Sequence, residues 1–571
     1  MQDLSTEPTL DIKKSTQEYL IQANKSKKNN VKNNKLIMAL KSSINNQELN
    51  LARTLLKYIE KQSLSEMQEA EWQLAKAKIL MIEKQPKKSL SVLNFSQKWN
   101  LPNKQWKNYH RLRAELFTKQ NDYISASKEL IKLTYRVKEN QKSIISNMIW
   151  QNLNQYNKQE IINLNKKPKG YILDGWIQLT VYMKTLGDDI PKLKNLLKKW
   201  LIQHINHPAA LYPPKNIIDI LTLEIVEPTN IILLLPLSGH LTKQAQLIRN
   251  GFIIAMRNDN EKNPNARLTL IDTNNISHQQ LKSVLIEKNI DFIIGPLTKE
   301  KVQLFKEIQA KLKLNIPILA LNIPESFSEN EHICYLTLSP EQEVMQGAKH
   351  LFEQGFHHPL ILAPEGNLGN QVVKAFIKEW SQHSLSAVKV QFFGNKNQLQ
   401  KNINSAFGLE KSKQNIAQIK SLTKLELKSQ PRSYRDIDAV YIVANGSDLT
   451  LIKPFIEVAI NPDTQPPKIF SNSLSNNSST QYEDLTGIEY SDIPWLINKN
   501  ILLKKNMEKI WKNSNAEKRL QALGIDAYTL IQQLPKMKII SDYSIQGQTG
   551  ILSVNNQCVI QRKMTWAKHG L

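Results

Sequence analysis

The hydrophobic pattern of this chain changes period once, near Pro228, and no single layered domain can satisfy both halves. From about Asn34 to Val226 apolar residues recur at helical spacing with few strand signals. Beyond Pro228, short β-rich runs alternate with helical ones. At 571 residues the chain is also too long for one core, and a domain size of about 150 residues allows two to four domains. His204, His207, Pro208, Tyr212, Pro213 and Pro214 mark a break before the change, since no helix runs through Pro213-Pro214.

The helical half carries a repeat. Trp72 and Tyr109 lie 37 positions apart, as do Ala77 and Ala114, and Leu80 and Phe117. Ala52, Ser89 and Ala126 recur at the same step, and so do Leu56, Leu93 and Leu130. Large residues followed by small ones at this period indicate helix-turn-helix units of tetratricopeptide type. The small residues let paired helices approach, and the large ones fill the space between units. Helices around Trp150, Trp176 and Trp200 continue the array less regularly. Residues 1–30 lack periodicity and read as a flexible lead-in, which places the helical domain at 31–226.

The second half, 229–571, reads as α/β. Strands are expected at Asn230–Leu235, Arg267–Asp272, Asp291–Gly295, Ile316–Leu321, Ile333–Leu338, Pro359–Ala363, Ala387–Phe392 and Ala439–Val443, with helices between most of them. Such a succession gives largely parallel sheets covered on both faces. Two such lobes in series place a cleft at the strand C-termini. Residues 395–435, rich in Lys, Asn and Ser, read as a long loop or insertion. Tyr543–Trp566 reads as a terminal hairpin around Gly547 and Gly550.

Chemistry is sparse. Pro236-Leu237-Ser238-Gly239 and Glu365-Gly366-Asn367-Leu368-Gly369-Asn370 each follow a strand and open a helix, where backbone N–H groups can hold an anion or simply cap a turn. The loops that would line the cleft carry Ser238, Gly239, Gly295, Asn322, Asn367 and Gly369. Neither a phosphate-binding P-loop nor a dinucleotide fingerprint is present. The histidine pairs His204/His207 and His357/His358 lack companions at metal spacing, and no nucleophile elbow or Ser-x-x-Lys element occurs. Asp272, Asp291 and Asp438 border strands, where capping a turn is the commoner role. No catalytic, metal or cofactor site is expected, and hence no enzyme. Cys334 and Cys558 exclude a disulfide-stapled scaffold by their number. They are either buried thiols or, if the fold brings them together in an oxidising compartment, a disulfide.

The net charge of +25 favours anionic partners. However, the excess is spread through Lys/Asn/Ile-rich stretches, as a biased genome produces, and no basic groove-binding element forms, so a nucleic-acid partner is not expected. No run of about 18 apolar residues occurs. Met1 through Asn34 contains no apolar leader core, so either the chain is cytosolic or a leader lies outside these residues.

Longer stretches carry a resemblance. Ile232-Leu233-Leu234-Leu235-Pro236-Leu237-Ser238-Gly239 with Ile248-Arg249-Asn250-Gly251-Phe252 resembles the opening of a type I periplasmic-binding-protein domain. Together with Ile294-Gly295-Pro296-Leu297, Ile333-Cys334-Tyr335, Asp438-Ala439-Val440-Tyr441-Ile442-Val443-Ala444, Ala522-Leu523-Gly524-Ile525-Asp526-Ala527-Tyr528 and Cys558-Val559-Ile560-Gln561-Arg562, the chain resembles the LpoA family of outer-membrane lipoprotein activators. The matching words run in order through nearly all of 230–566; in the helical half they are fewer, chiefly Lys199-Trp200 and His207-Pro208-Ala209-Ala210.

The resemblance implies a multidomain α plus α/β protein, with an N-terminal tetratricopeptide-like domain and a two-lobed periplasmic-binding-protein-like domain. It implies a non-enzymatic role without cofactors: binding a class A penicillin-binding protein of 1A type and stimulating its transpeptidase activity, from the periplasmic side of the outer membrane. A lipid anchor is expected only if a leader with its own cysteine exists, since Cys334 and Cys558 are far from the N-terminus. The alternative expectation is a periplasmic receptor holding a small polar solute in the cleft. Against it, those loops offer mainly Gly, Pro, Asn and Ser rather than charged or aromatic anchors.

Overall fold

The computed structural model describes residues 14–224, 228–260, 262–287, 289–312, 315–324, 332–394, 398–423, 430–434, 436–460, 465–476, 483–497, 514–540 and 543–570. The chain divides into two compact units, Met1–Glu224 with Ile539–Asp542, and Ile225–Lys538 with Tyr543–Leu571.

The described part of the first unit is helical from Thr16–Lys25 to Lys215–Thr222. Its repeat is physical. Helices Leu49–Glu60, Pro86–Val92 and Tyr123–Thr134 start at the 37-residue step, as do Glu66–Ile82 and Asn103–Lys119. Ala52, Ser89, Ala126 and Ala77 are fully buried where helices touch, and Ser89 Oγ donates to Ala77 O at 2.6 Å. Equivalent aromatics make equivalent bonds: Trp72 Nε1 donates to Leu56 O at 3.2 Å, and Tyr109 OH to Leu93 O at 3.4 Å. Each aromatic thus ties off a carbonyl of the preceding helical layer while filling the gap between layers. Here the expected lead-in needs correction. Ser15 caps a helix by accepting from Glu18 N, and Tyr19 and Ala23, one turn apart on that helix, are buried. That apolar pair makes the segment from Thr16 part of the packed array; residues 1–13 lie outside those described.

The second unit contains two lobes of the same winding. Strands β1 (Asn230–Leu235), β2 (Arg267–Asp272), β3 (Phe292–Ile294), β4 (Ile318–Ala320) and β5 (Ile333–Tyr335) form a parallel sheet in the order β2-β1-β3-β4-β5. Strands β6 (Pro359–Pro364), β7 (Lys389–Phe393), β8 (Ala439–Ile442), β9 (Lys468–Ser471) and β10 (Glu489–Asp492) repeat that order as β7-β6-β8-β9-β10. Along β1, Ile231, Leu233 and Leu235 pack on one face, and Ile232 and Leu234 on the other. Burial on both faces explains the continuous apolar run.

Two expectations for this unit are corrected. Residues 395–435 are not one long loop: they contain helices Leu399–Ala406 and Leu409–Thr423. Leu399, Ile403, Ala406 and Phe407 form a buried stripe that seats the first against the second lobe's core. Nor does Tyr543–Trp566 close as a hairpin. Strands β11 (Ser544–Gln546), β12 (Ile551–Val554) and β13 (Ile560–Lys563) form a small antiparallel sheet whose Leu552 and Ile560 join the first lobe's core. Strand β14 (Thr565–Lys568) instead pairs antiparallel with β10 in the second lobe's sheet. Trp566 decides this: its ring stacks on His350 at 3.9 Å and packs against that lobe's core. The chain therefore passes between lobes after β5, after β10 and after β13.

Candidate functional site

The candidate cleft residues sit at the carboxyl edges of the sheets, where the strand order switches between β1 and β3 and between β6 and β8. The structure shows what holds each of them. The loop carrying Ser238 and Gly239 is clamped by Asp272 at the end of β2, whose Oδ1 accepts from Leu237 N at 2.9 Å and Asn274 N at 3.1 Å. Asn274 Nδ2 donates to Ser238 O at 2.6 Å, and Thr242 Oγ1 to Gly239 O at 2.6 Å. Gly295, with φ +95°, is buried so tightly that a Cβ would collide with Leu234 O. Asn322 donates through Nδ2 to Leu297 O at 3.0 Å and accepts from Ile323 N at 2.9 Å, tying the β4 loop to the β3 loop. Asn367 is exposed at the first turn of helix Asn367–His383, while Gly369, two residues on, is packed against Pro364 O. Five of these six residues, all but Asn367, thus spend their polar groups or their missing side chain on the fold itself.

The three strand-bordering aspartates share one role. Asp291 Oδ2 accepts from Thr229 N and Asn230 N, at 2.7 and 2.9 Å. Asp438 accepts from His357 N and His358 N, at 2.6 and 3.0 Å. Although partial burial pushes both carboxyls up, hydrogen bonds hold them below their ordinary range, from the Ser238 hydroxyl and backbone N–H groups at Asp272 and from Asn230 and Thr229 at Asp291. These are turn clamps. The His204/His207 pair is structural too: His207 Nε2 lies 2.8 Å from Ile172 O, and His204 stacks on Trp200.

A constellation that the sequence did not bring forward lies where the lobes join. Asp492 ends β10 with a fully buried carboxylate. It receives Arg519 Nε on Oδ1 at 2.9 Å and Arg519 Nη2 on Oδ2 at 2.7 Å. Arg519 lies on helix Asn515–Ile539, whose later residues pack in the first lobe's core. The same Nη2 donates to Ser473 O at 2.8 Å. Glu343, in the first turn of helix Pro340–Glu353, accepts from Ser473 N at 2.6 Å, Ser473 Oγ at 2.9 Å and Ser491 Oγ at 2.8 Å. Burial pushes its carboxyl up. Farther along, Asp526 accepts from Gln548 N at 2.6 Å, and from Thr549 N and Oγ1 at 2.7 and 2.6 Å. Burial pushes this carboxyl up to about 6. Gln342 Nε2 donates to Ile560 O at 3.1 Å, and Gln346 joins Arg562 O and Met564 N. The three passages between lobes are therefore bonded to each other through side chains withdrawn from water. The sequence signal was faint: Asp526 interrupts an apolar run, and its partners lie elsewhere in the chain.

Helix packing braces the same region. Gly251 on helix Thr242–Asn258 and Gly524 on helix Asn515–Ile539 let those helices touch backbone to backbone, since a Cβ on either would collide with the other helix's carbonyl. Cys334 in β5 and Cys558 beside β13 form a disulfide with Cα atoms 4.7 Å apart, closing a loop of 224 residues that contains the second lobe apart from β14. It fastens the edge of the first lobe's sheet to the returning chain, which also bridges in register at Tyr335 and Val559.

Among the described residues, no group of three or more His, Cys, Asp or Glu side chains could hold a metal ion, and no helix is long and apolar enough to cross a membrane. The arrangement offers a two-lobed body braced by buried charged and polar side chains where the lobes join.

Comparison with known proteins agrees on one family. Residues 10–571 match the family described as "LppC putative lipoprotein". A curated relative from Vibrio cholerae, named penicillin-binding protein activator LpoA, is 51% identical over 570 residues, covering 100% of this chain and 94% of its own. A relative of the same name from Vibrio vulnificus is 49% identical over 574 residues, again covering 100% and 94%. A solved structure of Haemophilus influenzae LpoA matches with a TM-score of 0.76 and 23% identity, covering 98% of this chain and 97% of that one, and shows the same fold. By sequence over its whole length, this chain belongs to the LppC lipoprotein family, whose curated relatives are the LpoA activators of penicillin-binding proteins.

Proposed function

We propose that this protein is a non-enzymatic regulator of peptidoglycan synthesis. It binds a class A penicillin-binding protein of 1A type and stimulates its transpeptidase activity. It works from the periplasmic side of the outer membrane, held there by a lipid anchor if a leader with its own cysteine precedes these residues. The observation that carries this reading is the full-length similarity to curated activators, which spans both units rather than one shared domain. The structure is consistent in kind. An activator that works by surface contact needs a rigid face rather than a reactive centre, and the buried bonds between lobes supply rigidity. Such a protein acts by binding the active conformation of its partner more tightly than the inactive one. Each tenfold shift in that equilibrium requires about 1.4 kcal/mol of differential binding.

The test is cross-linking of lipid II by the cognate class A synthase, with and without the full chain. The expected result is more cross-linked product, saturating with the same concentration dependence as direct binding. Binding with no change in cross-linking would reduce the protein to a localising scaffold. No binding and no change would refute the reading.

A further inference from the structure

The Lys/Asn/Ser-rich segment of the second lobe carries an exposed, partly apolar surface. Helix Leu409–Thr423 follows a turn at Gly408, where φ is +74°. Its first turns are held by Leu409 against the lobe's core and by Arg432 N donating to Ser412 Oγ at 3.0 Å. From Lys413 to Leu422 every residue except Ile416 is exposed. At 100° per residue, Leu409, Ser412, Ile416, Ile419 and Leu422 fall on one stripe. Its outer part is open to water, Ile419 being 49% and Leu422 76% exposed. Lys411 borders the stripe on one side, and Lys413 and Lys420 on the other; the helix has a single acid, Glu410. Its Asn, Ser, Thr and isoleucine content is poor for a helix so thinly supported.

We propose that this helix is a docking element that lies in an apolar groove rimmed by carboxylates on the partner synthase, a placement that rests on the activator reading above. Lysines on both sides of the stripe call for an acidic rim, and anchors at Ile416, Ile419 and Leu422 suit helix-in-groove recognition. A lipid surface fits less well, because the apolar stripe is short and carries no aromatic residue to sit at a bilayer interface. The helix begins at the strand N-terminal edge of its lobe, where Tyr434 N donates to Phe407 O at 2.8 Å and Lys389 Nζ lies 3.9 Å over the Tyr434 ring. Docking there leaves the carboxyl-edge loops untouched.

The experiment measures binding of the full chain to the cognate class A synthase by biolayer interferometry at two salt concentrations, for wild type, I419A/L422A and K411E/K413E/K420E. Alanine favours helix, so the first variant removes the anchors without melting the element, and circular dichroism with the melting temperature confirms the fold. The expected result is a loss of about 30-fold or more for I419A/L422A, and slower, less salt-sensitive association for the lysine variant. Wild-type affinity in both variants would overturn the docking surface while leaving the activator reading intact. Absence of wild-type binding would remove the reading and this surface with it. Helix-dependent flotation with anionic phosphatidylglycerol vesicles, together with undiminished synthase binding, would reassign the surface to lipid and overturn the proposal.

Discussion

Removing Arg519 tests how the lobes are joined. Its side chain is 14% exposed, and the Asp492 carboxylate it grips is fully buried. In Arg519→Ala that carboxylate keeps, among the described residues, Asn476 Nδ2 at 2.7 Å and Ile493 N at 2.7 Å, and Ser473 O loses one of its two donors, keeping Asn476 N at 3.1 Å. Stranding a buried charge in this way costs about 3–5 kcal/mol. Asp492→Ala strands the guanidinium instead and carries a similar cost. The double variant leaves neither charge behind, so it should be less damaging than the sum of the singles by about 2 kcal/mol or more. Hydrogen exchange of the full chain at pH 7, followed on peptides covering 489–493 and 515–527, reads this directly. An opening made easier by about 3 kcal/mol speeds exchange roughly 10²-fold, while peptides from 171–203 serve as the control and stay unchanged. Single variants that alter exchange by less than about fivefold, or a double equal to the sum of its parts, would refute the claim that the pair holds the junction.

Four further outcomes follow from the structure. With its carboxyl raised from an ordinary 3.8 to about 6, Asp526 favours the folded state most below pH 4 and loses that contribution as pH rises through 6, a change of about 3 kcal/mol. Urea midpoints between pH 4 and 7 should lose this component in Asp526→Asn; an unchanged profile would remove Asp526 as its source. His569 acts in the opposite sense: burial pushes its imidazole down to about 4, so its contribution is present above pH 6.5 and fades as pH falls toward 4. His569→Gln should flatten that acid-side loss. Gly524→Ala should lower the melting temperature by an overpacking cost of about 1–3 kcal/mol, although alanine would stabilise an exposed helix; a rise would show that the two helices can separate freely. Cys558→Ser opens a loop of 224 residues, for which chain entropy gives about 5 kcal/mol. Its urea midpoint should match that of the reduced wild type and fall below that of the oxidised one, and equal midpoints for all three would contradict a stabilising role.

Much of the architecture was legible along the chain because its causes are short-ranged. The 37-residue step in Trp72/Tyr109 and Ala52/Ser89/Ala126 reports which side chains face a neighbouring helix, and the helices begin at that same step. The run at Asn230–Leu235 gave a strand with those bounds. Helix Leu409–Thr423 escaped notice because its residues are weak helix formers and its apolar spacing is diluted by lysine and serine. The alternation in Tyr543–Trp566 correctly signalled strands, but it carried no record of which sheet each would join; the stacking of Trp566 on His350 settled that. Likewise Glu343, Asp492, Arg519 and Asp526 look like ordinary polar residues in the sequence, and the cleft loops look like possible ligand holders. Periodicity is local, so the sequence by itself determined two architectures, their order and the strand-end loops. The value of a charge depends on its dielectric surroundings and on partners tens to hundreds of residues away, so only the tertiary structure decided that these groups bind the lobes to one another.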